Sequence, residues 1–396
     1  MSQENDRQLP DGWQWVKLGD VCELIMGQSP PSSSYINEPR GLPFFQGKAD
    51  FGKISPIPRF WCFEPIKIAE VGDILISVRA PVGPTNIVDV QCCIGRGLAA
   101  IRPNQDSERD FIHAALRLYE NKLVSLGSGS TFEAIGRKDL ETLKIPLPPL
   151  SEQKRIAAIL NEQMEAVEKA RKATEAQLEA AKALPAAYLR AVFESEEANS
   201  WERRKLGDIA RLISGGTPSR NNSSSFKGTI AWVKTLDLNC EVVKETEEYI
   251  SETAFDEIRG EMLPVGSVMI AMYGGGGTIG KSGILGLPAV TNQAICSILP
   301  NYNVFIPEFL HAWVLNFRPK WMDYSSGNRR DPNIKKGVIS NIECPFPTVE
   351  KQKQIASTLT EQMQEVERLK QNLKEQLDTI NKLPAVLLRR AFKGEL

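Results

Sequence analysis

Histidine is the scarcest chemically versatile residue of this chain, whose 396 residues include only His113 and His311. The two have similar neighbours, Phe111-Ile112-His113-Ala114 and Phe309-Leu310-His311-Ala312, and both stretches are typical of short amphipathic helices. A matched pair of this kind predicts a shared structural role rather than catalysis. With only two histidines in the chain, we do not expect a metal site built mainly from histidine ligands.

The cysteines and the hydrophobic pattern argue against several further classes of protein: disulfide-linked, zinc-binding, membrane-spanning and secreted. The seven cysteines are odd in number, lack a C-x-x-C spacing and include the adjacent pair Cys92-Cys93, which argues against a disulfide framework or a zinc site. No apolar run approaches the roughly 20 residues that cross a bilayer. The polar start MSQENDRQLPDGW differs from a signal peptide, so we expect a cytoplasmic protein.

Charge is nearly balanced, and the familiar catalytic motifs are missing. The 48 basic and 49 acidic residues give a net charge of −1, which excludes a wholly basic surface but not a local basic face. The sequence has no H-E-x-x-H motif, no Ser/His/Asp ordering and no Asn-Pro-Pro-aromatic tetrapeptide. These absences together favour a chain that is not an enzyme.

One phosphate-binding pattern does occur, at Gly275 to Ser282, where GGGTIGKS fits G-x-x-x-x-G-K-[ST]. That pattern holds phosphate only where a helix follows it, because the amides of the helix N-terminus bind the anion. The sequel, Gly283 to Pro288, cannot sustain a helix. We therefore predict a glycine-rich turn and keep a P-loop NTPase with coiled-coil arms as the alternative function.

The dominant feature of the sequence is a long stretch that occurs twice. Residues 151–193 read SEQKRIAAILNEQMEAVEKARKATEAQLEAAKALPAAYLRAVF, and residues 350–392 read EKQKQIASTLTEQMQEVERLKQNLKEQLDTINKLPAVLLRRAF. An offset of 199 residues aligns Gln153 with Gln352 and the Leu184-Pro185 pair with Leu383-Pro384. Earlier segments also match, WQWVKLGD with WERRKLGD at an offset of 188 and EVGDILISV with PVGSVMIAM at 194. The chain is therefore a tandem duplication of a globular domain followed by a long helix.

Both long stretches carry a heptad of apolar residues, which predicts a seam for a facing helix. The residues predicted to form this packing are Leu160, Met164, Val167 and Leu178 in the first copy and Leu359, Met363, Val366, Leu373, Leu377 and Ile380 in the second. We expect Ser151 and Thr348 to cap the helix starts, and we expect Pro185 and Pro384 to kink or end each rod. At ~1.5 Å per residue each rod should be on the order of 50 Å long.

The globular parts are predicted from short apolar runs and prolines. Residues 73–78 and 267–272 are typical of buried strands, and residues 111–119 and 307–317 of helices. The proline-alternating pieces at 145–148 and 344–347 should be extended. The fold class is α+β, with two similar, mixed and β-rich domains separated by two long antiparallel helices and related by an internal pseudo-two-fold duplication.

Basic and amide side chains gather in the loop from Ser325 to Lys336 and in its counterpart from Ser128 to Lys138. Arginine can bond a guanine edge, asparagine an adenine edge, and lysine can neutralise phosphate. An ordinary solvated basic loop explains the pattern equally well. The DNA-binding candidates are Asn328, Arg329, Arg330, Lys335 and Lys336, with Arg137 and Lys138 in the first half and Arg79, Arg96 and Tyr273 as weaker ones.

The layout resembles the specificity subunits of type I restriction–modification enzymes over almost the whole chain. The resemblance rests on the W-x-x-x-K-L-G-D starts at Trp13 and Trp201, the I-P-L-P and C-P-F-P pieces, the Q-K-x-I helix starts and the L-P-A-x-x-L-R segments at Leu184 and Leu383. It implies target recognition domains at 1–148 and 197–347 and conserved spacer helices at 149–196 and 348–396. It further implies binding of double-stranded DNA, with no membrane, and docking of two methylation and two restriction subunits. S-adenosylmethionine, ATP, Mg²⁺ and catalysis would belong to those partners, with no cofactor in this chain.

Overall fold

The computed structural model describes residues 9–127, 134–274, 277–326 and 332–396, and the chain divides into two compact units. Unit 1 extends to Glu175 and resumes from Glu375 to Leu396, and unit 2 is Ala176–Lys374. The helix that begins after the first globular part and the helix at the C-terminus each contribute residues to both units.

Unit 1 contains eleven described strands and its first four helices are short. The strands are β1 (Gln14–Lys17), β2 (Cys22–Met26), β3 (Tyr35–Ile36), β4 (Leu42–Phe45), β5 (Phe60–Cys62), β6 (Ile68–Ala69), β7 (Ile74–Ser77), β8 (Thr85–Ile87), β9 (Cys92–Ile94), β10 (Leu98–Pro103) and β11 (Lys144–Leu147). The helices are α1 (Leu18–Val21), α2 (Arg109–Leu118), α3 (Glu120–Leu126), α4 (Arg137–Glu141) and the long α5 (Leu150–Phe193).

Two sheets and a two-stranded ribbon organise unit 1. An antiparallel sheet has the order β2-β10-β7-β8, and a mixed sheet has the order β3-β5-β4-β9-β6. β1 pairs with β11, which leads directly into α5. The main core joins one face of the antiparallel sheet to α2 and to both long helices, through residues that include Ile76, Phe111, Leu160 and Phe392.

Unit 2 repeats this plan with its own set of elements. The strands are β12 (Glu202–Lys205), β13 (Leu212–Ser214), β14 (Ile230–Val233), β15 (Val242–Val243), β16 (Glu248–Ile250), β17 (Val268–Ala271), β18 (Ser282–Leu285), β19 (Val290–Thr291), β20 (Ile295–Ile298) and β21 (Glu343–Phe346). The helices are α6 (Glu196–Asn199), α7 (Leu206–Ile209), α8 (Glu252–Glu257), α9 (Pro307–Phe317), α10 (Lys336–Ser340) and the long α11 (Val349–Ala391). Its sheets have the orders β13-β20-β17-β18-β15 and β16-β14-β19, and β12 pairs with β21.

Strand register shows that the two units are copies of one fold. In unit 1 Ile76 lies opposite Ala99, and in unit 2 Ile270 lies opposite Cys296 at the same place in the sheet. The predicted buried strands are β7 and β17, and the predicted helices are α2 and α9, with α9 at the predicted bounds. The proline-alternating pieces are the strands β11 and β21. The α+β class and the duplication are confirmed.

The two long helices start differently. Thr348 caps α11, since its hydroxyl accepts the Lys351 N–H at 3.4 Å, as predicted. Ser151 was the wrong cap for α5, because that helix already begins at Leu150. The carbonyl of Pro149 accepts the N–H groups of Glu152 and Gln153 instead, so a hydroxyl cap is not needed there.

Neither long helix ends at its proline, so that part of the prediction was wrong. α5 continues past Pro185 to Phe193, and α11 continues past Pro384 to Ala391. An interior proline costs a helix about 3 kcal/mol. Buried side chains beyond each proline, among them Leu189 and Leu388, contribute a comparable amount each when packed in a core, which explains why the helices persist.

The heptad residues lie on the inner faces of α5 and α11. In unit 1 Leu160 packs in the same core as Leu388, and in unit 2 Leu189 packs in the same core as Leu359, so the start of one helix meets the end of the other in each unit. The pair is therefore antiparallel. Of the heptad set, the buried members are Leu160, Leu359, Val366 and Leu373, and the half-buried ones are Met164, Val167, Leu178, Met363, Leu377 and Ile380.

The two histidines occupy equivalent structural positions. The His113 Nε2 lies 2.9 Å from the Thr85 hydroxyl in unit 1, and the His311 Nε2 lies 3.1 Å from the Ser282 hydroxyl in unit 2. Burial lowers the pKa of each imidazole to about 4, so both rings are neutral near pH 7. The histidines therefore tie α2 to β8 and α9 to β18, in agreement with a paired structural role.

Candidate nucleic-acid interface

The same tight corner occurs once in each unit, where a buried strand ends beside a turn. In unit 1 the Val78 N–H donates to the Gly97 carbonyl at 2.9 Å, and in unit 2 the Met272 N–H donates to the Ala294 carbonyl at 2.7 Å. Because these bonds correspond, the residues that flank them also correspond. Arg79 of unit 1 is therefore equivalent to Tyr273 of unit 2.

The corner also fixes the loop that precedes each short helix α4 and α10. The Ile135 N–H donates to the carbonyl of Val78 at 3.0 Å, and the Ile334 N–H donates to that of Met272 at 2.9 Å. Each loop then forms an isolated β-bridge to the residue after the strand, Arg79 with Ala134 and Tyr273 with Asn333. Arg79 and Tyr273 therefore each lie beside the loop that supplies the other DNA-binding candidates of their unit, although they are distant from it in the sequence.

Four exposed polar residues surround this corner in unit 1, and we call them the unit 1 face: Ser29, Gln46, Arg79 and Arg96. The main-chain N–H of Arg96 donates to the Ser29 hydroxyl at 3.3 Å. A side chain on Gly97 would come within 2.3 Å of the Gln46 carbonyl, which shows how closely that segment approaches. Neither arginine side chain has a hydrogen bond or an ion pair with any residue that the structure describes.

The equivalent unit 2 face consists of Thr217, Tyr273, Gln293 and Asn333. The Thr217 hydroxyl donates to the Gln293 side-chain oxygen, and the Gln293 side chain also bonds the Tyr273 hydroxyl. Burial raises the pKa of Tyr273, and the bond from Gln293 opposes that rise. Thr217, Gln293 and Asn333 are exposed, and Tyr273 is half-buried. A network of this kind holds its members in defined orientations.

Glycine at the end of β2 and after β13 allows the approach that builds both faces. An added side chain on Gly27 would lie 2.2 Å from the carbonyl oxygen of Gly95, and one on Gly215 would lie 1.6 Å from that of Thr291. No larger residue fits at either position. The segments Gly27 to Pro30 and Gly215 to Pro218 therefore place Ser29 and Thr217 against the turns that carry Arg96 and Gln293.

The two faces differ in charge. The unit 1 face carries two guanidinium groups that have no ion pair among the described residues, whereas the four residues of the unit 2 face are neutral. Lys234, the residue that follows β14, lies 2.7 Å from Glu248 and 3.1 Å from Glu247. Burial acts to lower the pKa of Lys234, but the hydrogen bonds to these carboxylates raise it overall. Its charge is thus compensated within the unit, and amide and hydroxyl groups dominate that face.

The remaining DNA-binding candidates have varied surroundings. Arg137 pairs with Glu141 on α4 at 2.7 Å, and Lys138 is exposed on the same helix. Lys335 and Lys336 are exposed at the start of α10. Asn328, Arg329 and Arg330 lie outside the described residues.

The described part of the phosphate-binding pattern, residues 277–282, does not lead into the helix that a phosphate loop requires, and Gly275 and Gly276 lie outside the described residues. Its last residue, Ser282, begins strand β18 and is fully buried, and the Lys281 N–H donates to the Thr278 carbonyl in a turn. No helix follows, so the helix N-terminus that such a site requires is missing from this described segment. The expected glycine-rich turn is what the structure contains here, and nothing supports the NTPase alternative.

The described ranges contain neither a candidate metal-binding cluster nor a candidate membrane-spanning helix. Within residues 9–127, 134–274, 277–326 and 332–396 no group of three or more His, Cys, Asp or Glu side chains is placed to bind a metal ion. None of the helices in those ranges combines the length and the apolar character needed to cross a membrane.

Five members of the two faces were not among the candidates from the sequence: Ser29, Gln46, Thr217, Gln293 and Asn333, of which Asn333 lies within the predicted loop 325–336. The signal for two of them was present, because the repeated segment ends in G-x-[ST]-P in both halves, at Gly27 and at Gly215. Gln46 and Gln293 had no comparable signal. They reach the faces only through strand pairing and the turns beside it.

Comparison with known proteins places this architecture in a family. A family model described as the type I restriction modification DNA specificity domain matches residues 10–179 and 199–379. The putative type I restriction enzyme MjaX specificity subunit of Methanocaldococcus jannaschii is 49% identical over 178 residues, covering 44% of this chain and 42% of the relative. The type I restriction enzyme EcoBI specificity subunit of Escherichia coli is 22% identical, covering 98% of this chain and 87% of the relative.

The MjaX relative is thus matched over 42% of its own length. The type I restriction enzyme MjaIX specificity subunit of Methanocaldococcus jannaschii, 26% identical over 195 residues, is matched over 44% of its length. Among solved structures, the HsdS subunit from Thermoanaerobacter tengcongensis has a TM-score of 0.73 at 21% identity, covering 99% of this chain and 100% of that one. This likeness shows the shared fold. With both family segments matched, the chain belongs to the family of the type I restriction modification DNA specificity domain.

Proposed function

We propose that this chain is the DNA sequence-recognition subunit of a type I restriction–modification complex and that it reads a bipartite, asymmetric site. The observation that carries the proposal is the pair of equivalent faces with unlike side chains. The unit 1 face presents Arg79 and Arg96, and the unit 2 face presents Tyr273 and Gln293 at the matching positions. One scaffold with two different polar surfaces suits the reading of two different half-sites.

Double-stranded DNA is the ligand that fits these faces best. Arginine and glutamine are among the side chains that contact base edges in the major groove, and hydroxyl groups commonly bond phosphates. Ala134 and Asn333, which belong to the two candidate loops, form β-bridges to Arg79 and Tyr273 of the faces. We therefore keep the loop candidates in the proposed DNA surface: Asn328, Arg329, Arg330, Lys335, Lys336, Arg137 and Lys138. The proposed recognition domains are residues 1–148 and 197–347.

The long helices, with spacer regions 149–196 and 348–396, would dock two methylation subunits and, through them, two restriction subunits. A solved structure with 23% identity and a TM-score of 0.74 carries a title on complex assembly of the type I restriction–modification system. Catalysis, S-adenosylmethionine, ATP and Mg²⁺ would then reside in the partner subunits, and the assembly would work in the cytoplasm.

The charge balance favours shared DNA binding. Protein–DNA affinity depends strongly on the neutralisation of phosphates by lysine and arginine. This chain has a net charge of −1. We therefore expect the methylation subunits to supply much of the phosphate contact, and the isolated chain to bind DNA weakly.

Paired alanine variants test the proposal. The chain is expressed with the methylation subunit of its own system, and methylated adenines are mapped by long-read sequencing. Arg79→Ala should alter one half of the methylated motif and Tyr273→Ala the other. Arg203→Ala, an exposed arginine of β12 outside both faces, serves as the control and should leave the motif intact. If both face variants methylate the wild-type motif, these faces do not read DNA.

A further inference from the structure

Arg96 and Gln293 occupy the same position in the two copies of the fold. Each lies one residue before the turn carbonyl, of Gly97 or Ala294, that accepts the N–H from the end of the buried strand. Both side chains are exposed. The scaffold therefore presents a guanidinium group in unit 1 and a carboxamide in unit 2 from equivalent positions.

The Gln293 carboxamide is held from two sides. The Thr217 hydroxyl donates to its oxygen, and the Tyr273 hydroxyl lies beside the carboxamide, which opposes the rise in the pKa of Tyr273. A carboxamide oxygen has a second lone pair and the nitrogen a second hydrogen, so one acceptor and one donor remain free. They lie on one planar group whose orientation is already determined.

The free acceptor and the free donor of the Gln293 carboxamide match the major-groove edge of adenine. In the major groove adenine presents the N7 acceptor beside the N6 donor, and a glutamine carboxamide can bond both at once. Guanine presents two acceptors there, O6 and N7, which suit the paired donors of an arginine. The unpaired Arg96 side chain has those donors available.

We propose that Arg96 and Gln293 each read a base from their face, Arg96 recognising a guanine in one half-site and Gln293 an adenine in the other. This inference rests on the proposed function and assigns base chemistry to it. Thr217 and Tyr273 are positioning residues that orient the Gln293 carboxamide. Phosphate contact by Arg96 is the competing possibility, and the experiment separates the two.

The test uses the chain assembled with its methylation subunit and a DNA library in which each position of the methylated motif is varied. Gln293→Met keeps the length of the side chain but removes both polar groups. It should reduce discrimination at one adenine of one half-site by about tenfold or more, the range expected for a lost bidentate contact. Gln293→Arg should shift that position towards guanine. Gln105→Met, an exposed glutamine that follows β10 and lies outside both faces, is the matched control and should leave every position unchanged.

Companion variants address Arg96 and the positioning residues. Arg96→Gln should relax one guanine of the other half-site and leave the adenine intact. Thr217→Val and Tyr273→Phe should weaken adenine discrimination partially, with no effect on the other half-site. Thermal unfolding of each variant, compared with the wild type, verifies that the fold persists, and a misfolded Gln293→Met is replaced by Gln293→Arg.

Two results would overturn the inference. Uniform weakening at all positions by Arg96→Gln or Gln293→Met would show phosphate contact or indirect support instead of base reading. An unchanged preference would place both residues outside the readout. A wild-type complex with no preference for any sequence would instead refute the proposed function, so the two failures are distinguishable.

Discussion

The side-chain oxygen of Gln153 accepts the main-chain N–H of Glu108 at 2.8 Å, which joins the first turn of α5 to the start of α2. The Gln153 amide nitrogen donates to the carbonyls of Pro148 and Asp106. In unit 2 Gln352 repeats the arrangement, accepting from Ile306 at 3.1 Å and donating to Pro347 and Val304. Both glutamines are buried, at 1% and 0% exposure.

Replacement of either glutamine should destabilise its unit. Gln352→Ala removes the partner of three partly buried main-chain groups, and each such group costs up to about 1 to 3 kcal/mol. Since the contacts relax in part, we expect a loss of roughly 3 kcal/mol in the free energy of unfolding. Urea denaturation measures it. Gln354→Ala, an exposed glutamine on the same helix, is the control and should change the stability by less than about 0.5 kcal/mol.

Acid should destabilise the protein through its two histidines. Burial holds the pKa of His113 and His311 at about 4 in the folded chain, below the ordinary value of 6.5. The unfolded chain therefore binds more protons between these values, so stability is full above the ordinary pKa and falls as the pH drops towards the folded pKa. From about pH 7 to about pH 5 each histidine should cost about 1 to 2 kcal/mol.

Urea denaturation at the two pH values measures this loss. The double variant His113→Gln and His311→Gln should have a lower stability but a much flatter pH dependence in that range. The carboxylate Glu168, whose pKa is lowered to about 2 by Arg171 and Lys53, titrates at lower pH and does not mask the effect. An unchanged pH dependence in the double variant would show that other groups control acid unfolding.

Shortening both long helices by one heptad should shorten the unspecified spacer of the DNA site. Removal of 172–178 and 371–377 keeps the apolar seam in register, because one heptad is removed from each helix. Seven residues of helix span about 10 Å, the length of about three base pairs. Mapping of methylated adenines should find both half-sites with a shorter spacer. An unchanged spacer would contradict the proposal that these helices set the distance between the two half-sites. Deletion of the heptad from one helix alone should abolish specific methylation.

The glycine-rich turn gives a fourth prediction. Because Ser282 starts a buried strand, Lys281→Ala should leave nucleotide use by the assembled complex unchanged. Equilibrium binding of a labelled ATP analogue to the isolated chain checks the same point. Saturable binding that Lys281→Ala removes would restore the NTPase alternative.

The elements with strong local signals were predictable from the sequence. The heptads, the alternating prolines and the short apolar runs located α5, α11, β7, β17 and the extended pieces before the helices. Hydrophobic periodicity carries this information because it follows directly from which face is buried.

The sites that depend on tertiary contacts were not predictable in the same way. Arg79 and Arg96 are far apart in the chain and meet at one corner only because β7 pairs with β10. Gln293 gains its orientation from Thr217 and Tyr273, which come from two other segments. The helix ends beyond Pro185 and Pro384 were misjudged since local propensity cannot show the packing that offsets a proline.

The most direct test of the central claim is long-read mapping of methylated adenines in cells that express the methylation subunit with or without this chain. We predict a single motif made of two different half-sites separated by a fixed spacer, present only when this chain is expressed. Methylation at the same motif without the chain, or a motif with identical halves, would contradict the account.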